Sequence, residues 1–541
     1  MKKRSPVPQK HVKNIIVPGL LFSAGIGAVT GALIFLFKVV SSALIHRSEE
    51  IYAQVRENPE TLWMLLGGAL VLGLAAGLIL KMAKDCRGGG IPTAVASIRG
   101  LVPLRWLQSI FVLFVSSMFT YLGGVPLGNE GPSVQMGTAV GKGATEVVGK
   151  NNRRWERYTM TGGASAGFAA ATGAPLTGVL FALEEAHRRF TPMLFMVAAV
   201  SVTAASITQA WLSYLFSVDT TFFDFVIHDP MPARYLWATA LIGLLCGLFA
   251  LVLTWFYRRT RTISSKRLGK VPFLVKITVL FVAVAVLGFF RAEFVGSGHS
   301  LIESLVEGPM VWYVLLAALL VRAILLVCAN GEGVSGGVFV PTLALGAILA
   351  ALVANVLTAI NAVDPAYNAV LIAVGMTAFL AASSRTPVTA LAFAAEALCG
   401  VNNMIALGIG VTVAYLTVEL SGTVAFTDTV IESKAEAVHE GKIPVIVDTH
   451  MTVRPDSFAV GKEIRDILWP PTCAVLSVDK SHTHGQHHFT CVEAGDVLHL
   501  HYQTYAPEAT LQTLTYILGE QPQDPEARTH LGSEDHCVPL E

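Results

Sequence analysis

Apolar runs of the length a bilayer core requires, roughly 17–25 residues, follow one another from Ile15 to about Leu420. They include Leu62 to Leu80, Tyr235 to Phe256, Val275 to Phe290 and Trp312 to Val327. Several are joined by connections too short to hold a soluble domain. After about Lys434 the runs shorten to strand length and His, Asp, Pro and Gln become frequent. The pattern predicts an all-α polytopic membrane protein followed by a small α+β domain. We divide the chain into an N-terminal segment (1–14), a membrane region (15–434), a C-terminal domain (435–520) and a polar tail expected to be disordered (521–541). In the C-terminal domain, strands are expected at Val445 to Val447, Thr452 to Val453, Ala474 to Val478, Thr490 to Glu493 and Val497 to Tyr502, with helices at Gly461 to Leu468 and Glu508 to Leu518.

Composition sharpens this picture. Of 541 residues, 53% are hydrophobic and 14% charged, against about a quarter charged in ordinary soluble domains, so the chain cannot be solvated as a globule. Lys2, Lys3, Arg4, Lys10 and Lys13, and the pair Arg153-Arg154, are expected on the cytoplasmic side by the positive-inside bias. Both termini are then cytoplasmic and the chain is a multi-pass protein of the cell membrane. The opening run lacks a small-residue cleavage site and reads as a retained element. Zero net charge gives no pointer to nucleic acid. Seven scattered cysteines without C-x-x-C spacing suggest neither a disulfide framework nor a zinc cluster. The histidines from His482 to His488 suit a solvated hairpin better than a metal site, and no metal or cofactor is expected.

The membrane region contains a repeat. Gly163 to Glu184 aligns without a gap on Gly375 to Glu396, sharing Ala-Ala, Pro-x-Thr, Phe-Ala and the final Glu. Gly128 to Gly137 aligns on Gly337 to Gly346 with two glycines and a proline matched. Internal repeats mark transporter folds, whose substrate sites lie near the bilayer midplane at the repeat interface.

Three motifs interrupt the apolar pattern: Gly88-Gly89-Gly90-Ile91-Pro92, Gly128-Asn129-Glu130-Gly131-Pro132 and Gly336-Gly337-Val338-Phe339-Val340-Pro341. Proline favours the first helical turn, and glycine lets the preceding backbone turn and approach a ligand. Each motif therefore predicts a helix start inside the membrane, with free N–H groups and about half a positive charge. Several converging on one point would bind an anion without burying a Lys or Arg. The competing reading is that each only kinks a tightly packed helix.

Glu130 has Phe339 as its repeat-mate, so the symmetric scaffold does not call for an acid there. An intramembrane acid, costing at least ~2.5 kcal/mol to insert, reads as functional. Its carboxylate can occupy the anion site and, once protonated, leave it, acting as gate and proton carrier. Glu184 is matched by Glu396 and reads as structural, whereas Glu185 is matched by Ala397 and reads as an acid taking protons from the cytoplasm. Gly163-Ala164-Ser165-Ala166-Gly167 fits the nucleophile-elbow pattern. However, Ser165 maps to Thr377 within an Ala-Gly stretch, so helix packing explains it better than an enzyme does.

In this order, the motifs resemble those of the CLC family of chloride channels and proton-coupled chloride transporters, over about Leu20 to Val430. The first is similar to the family's GSGIP, the second to GREGP or GKEGP, the third to GxFxP. The resemblance implies an inverted internal repeat and a homodimer with one pore per subunit. It further implies chloride held by the amides of Val338 and Phe339, an outer gate at Glu130 and an inner proton site at Glu185. Candidate anion-binding positions are Gly89, Gly90, Ile91, Asn129, Gly131, Val338, Phe339 and Thr427. Gly89 stands where the family usually has a serine, and the sequence near Phe426-Thr427 lacks the usual tyrosine. Each lost donor to a desolvated ion is worth about 1–3 kcal/mol, which predicts weaker central binding or altered selectivity among chloride, fluoride and nitrate. Exchange of chloride for protons is the expected activity, and a passive channel is the alternative. FAVGKEIRDILWPPTCAVLSVD and VEAGDVLHL resemble the RCK-C (TrkA-C) subdomain of potassium-transport regulators. That resemblance implies a sensor of a small ligand, such as a nucleotide.

Overall fold

A computed structural model describes residues 17–88, 90–148, 155–225, 227, 230–267, 269–398, 401–439, 445–470, 472–480, 491–505, 507–519 and 526–528. The basic N-terminal cluster, Arg153-Arg154, Gly89 and the His482 to His488 hairpin lie outside these residues.

The membrane region is helical throughout. Its helices are α1 (Val17–Glu57), α2 (Leu62–Met82), α3 (Ile91–Ile98), α4 (Trp106–Leu122), α5 (Glu130–Val148), α6 (Glu156–Thr172), α7 (Pro175–Phe181), α8 (Pro192–Phe216) and α9 (Leu236–Arg267). These are followed by α10 (Phe273–Phe290), α11 (His299–Glu307), α12 (Trp312–Gly331), α13 (Phe339–Ala359), α14 (Asn368–Ser384), α15 (Pro387–Ala397), α16 (Met404–Leu420) and α17 (Phe426–Val438). Among the described residues, eight helices are long and apolar enough to cross a membrane. Exposed apolar side chains such as Leu21, Trp63, Val71, Leu107, Ile207 and Trp255 give the bundle the lipid-facing surface a multi-pass protein needs.

The repeat is visible as a two-fold relation between α5–α7 and α13–α15. Gly128 and Gly337 exchange antiparallel backbone hydrogen bonds at 2.9 and 2.6 Å. The Glu184 carboxylate accepts from the backbone N–H groups of Val388 and Thr389 and from Thr389 Oγ1, at 2.9, 2.6 and 2.6 Å. Its mate Glu396 accepts from Leu176 N, Thr177 N and Thr177 Oγ1, at 2.7, 2.8 and 2.6 Å. Each acid thus caps the proline-started helix of the opposite half, satisfying amides that a helix start leaves unpaired.

Ser165 is buried inside α6. A nucleophile elbow needs an exposed serine on a strand-to-helix turn, so the enzyme reading has no geometric basis.

The C-terminal domain is a four-stranded antiparallel sheet in the order β2-β3-β1-β4, formed by β1 (Val445–Thr452), β2 (Ala474–Asp479), β3 (Val497–Thr504) and β4 (Glu526–Arg528), with helix α18 (Pro507–Leu518). Val447 and Met451 alternate inward along β1 and Leu498, Leu500 and Tyr502 along β3, closing on Leu514, Ile517 and Leu518 of α18. The strands expected at Val445 to Val447 and Thr452 to Val453 are one strand. Two further expectations are corrected. Gly461 to Leu468 holds only a 3-10 turn, Ile464–Asp466. Ile467 is extended, and Trp469, which precedes two prolines, packs into the domain core with its indole N–H on Ile464 O at 2.9 Å. Proline disfavours helical geometry in the residue before it. Around Thr490 to Glu493 the described residues form one isolated bridge, Glu463 to Cys491. Glu526–Arg528, within the stretch expected to be disordered, pairs with β1.

Candidate anion pathway

The three glycine motifs start α3, α5 and α13 and meet at one place. A Cβ on Gly131 would stand 2.5 Å from Gly337 Cα and 2.8 Å from Gly90 Cα. One on Gly90 would stand 3.3 Å from Gly336 O. Only glycine permits this approach of three backbones. Gly88, at φ +60°, turns the first motif into position and donates its N–H to Gly333 O at 2.7 Å.

Pro92, Pro132 and Pro341 lie in the first turns of the three helices. The positive ends of three helices are therefore gathered inside the membrane region. The Gly90 amide is taken by Gln135 Oε1 at 3.0 Å. Ile91 opens α3, Val338 caps α13 and Phe339 is its first residue. Phe339 is wedged edge-on between Phe168 and Phe393, with ring centroids 5.2 and 5.1 Å away. Thr427 is buried in the first turn of α17, which packs on α3.

Glu130 is the first residue of α5 and fully buried. Neither carboxylate oxygen has a hydrogen-bond partner. The amides of Glu130 itself and of Val340 stand beside it. Glu184 and Glu396 are fully bonded caps of opposite helix starts, and Glu130 makes no such set of bonds. Asn129 donates to Ser41 Oγ of α1 at 3.2 Å.

Glu185 lies in a π-helical turn, Ala182–Ala186, that continues α7; such bulges often mark functional sites. Arg99, which follows α3, donates to the backbone carbonyls of Glu185 and Ala186 at 2.9 and 3.1 Å. Asp428 pairs with Arg99 at 3.7 Å and also with Arg188, forming a charged cluster beside Glu185. The two acids therefore sit at opposite ends of α3, whose 8 residues span about 12 Å.

Residues 71–419 match the family described as the voltage gated chloride channel. The chain belongs to this CLC family. Among curated relatives, the H(+)/Cl(-) exchange transporter ClcA of Klebsiella pneumoniae is 28% identical over 387 residues, 70% of this chain and 80% of that one. The protein of the same name from Salmonella paratyphi B is 28% identical over 386 residues with the same coverage. Of solved structures, a slow cyanobacterial Cl-/H+ antiporter superposes with a TM-score of 0.69 at 22% identity, covering 77% of this chain and 98% of that one. A CLC-type fluoride/proton antiporter gives 0.63 at 20% identity, covering 76% and 98%. The superpositions establish the CLC fold for the membrane region.

Within that fold, two lysines that sequence reasoning passed over stand near the pathway, and one of them contacts a glycine motif. Lys434 of α17 points its ammonium at Arg87 O (3.1 Å), Gly88 O (2.5 Å) and Thr93 Oγ1 of the first motif. Nothing in its polar surroundings singles it out by sequence. Lys38 lies in α1 within Ile34-Phe35-Leu36-Phe37-Lys38-Val39-Val40 and is 7% exposed. A lysine inside an apolar run was a usable signal.

The C-terminal domain touches the same machinery. Arg157 donates to Ile98 O at 2.9 Å, at the end of α3, and to the carbonyls of Leu468 (3.3 Å) and Trp469. Tyr158 donates to Asp466 O at 3.1 Å, and Trp155, Tyr158 and Phe458 form an aromatic cluster.

Proposed function

We propose that the chain is a transporter that exchanges a small inorganic anion, chloride in the first instance, for protons across the cell membrane. The observation that carries this reading is an unpartnered, fully buried Glu130 carboxylate beside three converging helix starts. The amide dipoles favour an anion at that point, and carboxylate and anion compete for it. Protonation of Glu130 removes its charge and yields the place to the anion. Glu185, at the far end of α3, supplies the proton from the cytoplasmic side. Gly90, Ile91, Asn129, Gly131, Val338, Phe339 and Thr427 line the anion's route; Gly89, a further candidate by sequence, lies outside the described residues. The relatives named as H(+)/Cl(-) exchange transporters support this reading. A fluoride/proton antiporter shares the fold, and with glycine at 89 and no tyrosine near Thr427, fluoride and nitrate are the other anions to test.

The remaining parts of the reading are a homodimer with one pore per subunit, both termini in the cytoplasm, a membrane region over 15–434, and an RCK-C-like regulatory domain over 435–520. The domain would take a small nucleotide or similar ligand, and Arg157 would carry its state to α3.

The test is reconstitution into liposomes. An outward chloride gradient should drive protons inward against their own gradient, and Glu130→Gln should abolish that movement. Passive anion flux with no proton movement in the wild type would leave a channel. Parallel gradients of fluoride and nitrate rank the anions.

A further inference from the structure

The position before the gating acid, basic in the GREGP or GKEGP pattern, is Asn129 here. The positive charge missing from that motif is present in space, on a different helix. Lys38 of α1 is buried, and among the described residues its ammonium makes one hydrogen bond, to Thr220 O at 2.6 Å. One helical turn on, Ser41 accepts from Asn129, which fixes α1 against the Glu130 turn. The Lys38 ammonium lies 6.0 Å from the Phe222 ring centroid. Phe222 abuts Phe393, and Phe393 abuts Phe339 at the start of α13. Two aromatic rings, Phe222 and Phe393, therefore stand between Lys38 and Phe339 at the start of α13.

A buried ammonium is costly without an opposite charge. The acids that act on it are Glu130, which is buried, and Asp219, which is exposed. His299 of α11 also faces Lys38, and Tyr121 of α4 faces Glu130. Lys38 is 21 residues beyond the start of α1, about 31 Å along the helix. With the N-terminus cytoplasmic, it lies toward the outer mouth of the pathway.

We infer that Lys38 is the positioning residue for Glu130: its ammonium is the outer counter-charge that receives the carboxylate when an anion displaces it from the helix starts. This rests on the exchange reading, but its test need not. The protonated Glu130 carboxyl has an infrared C=O band that Glu130→Gln removes, so its titration can be followed in purified full-length protein without any transport. Lys38→Met should move the midpoint of that band upward, by at most about one to three pH units, which is the effect of losing an adjacent opposite charge. Lys38→Arg should leave it near the wild-type value, and Asn129→Lys in the Lys38→Met background should bring it back. Should Lys38→Met fail to fold, Lys38→Gln and the Lys38→Gln/Asn129→Lys protein serve as the neutral and recharged pair. An unchanged midpoint in a folded neutral variant overturns the inference. So does an equal shift in Lys38→Arg, which would mark a packing effect. Absence of coupled flux in the wild type would refute the proposed exchange and leave this result to stand by itself.

Discussion

Glu184 and Glu396 have three hydrogen bonds each; Glu130, the same side chain in the same membrane region, has none. The first two obey the repeat, each capping a helix of the opposite half. Glu130 breaks it, since Phe339 occupies the equivalent place, and Glu185 breaks it as well, opposite Ala397. A duplicated scaffold needs its symmetric acids for folding, because losing one leaves helix-start amides unsatisfied. An acid present in only one half is not needed by the scaffold and stays free to change protonation or position.

The contrast breaks most readily at Glu130. Glu130→Gln should abolish proton movement coupled to anion flux while leaving thermal stability unchanged or improved, since a buried charge without a bond is removed; flux assays and a melting curve on one preparation check both. Next in size, Glu184→Ala and Glu396→Ala should each lower stability by about 2–4 kcal/mol, the loss of a charged acceptor from several amides. The two should match closely, and a large inequality would mean that the halves do not share that load. Gly131→Ala places a methyl 2.5 Å from Gly337 Cα and should cost about 1–3 kcal/mol through overpacking, with anion flux reduced more than stability implies. Glu185→Gln should slow proton entry and leave anion movement largely intact, separating the two fluxes. The smallest effect is expected from Arg157→Met, which should loosen the contact of the C-terminal domain with α3, read as faster hydrogen exchange around Leu468 and Trp469.

Much of this was legible in the residues. The Gly-Pro spacing marked all three helix starts because φ preferences and missing N–H groups are local properties. The repeat alignment separated Glu184 from Glu185 because symmetry can be read from sequence. The convergence of Gly90, Gly131 and Gly337 was only a hypothesis there, since contact between distant turns depends on packing. Lys434 escaped notice for the same reason, its partner being the backbone carbonyl of Gly88 far away in the chain, whereas Lys38 was readable as a lysine inside an apolar run. In the C-terminal domain, the alternating strands β1 and β3 were readable, whereas Gly461 to Leu468 was not. Its apolar residues have helical spacing, yet they serve an extended segment that inserts Trp469.

The most direct measurement is anomalous diffraction from crystals grown in bromide, comparing the wild type with Glu130→Gln. If the carboxylate and the anion share one place at the helix starts, the variant should show a bromide peak beside the amides of position 130 and Val340, where the wild type shows the Glu130 side chain. If the substituted amide side chain instead keeps the place that the Glu130 carboxylate holds, with no bromide near those amides, the account is contradicted.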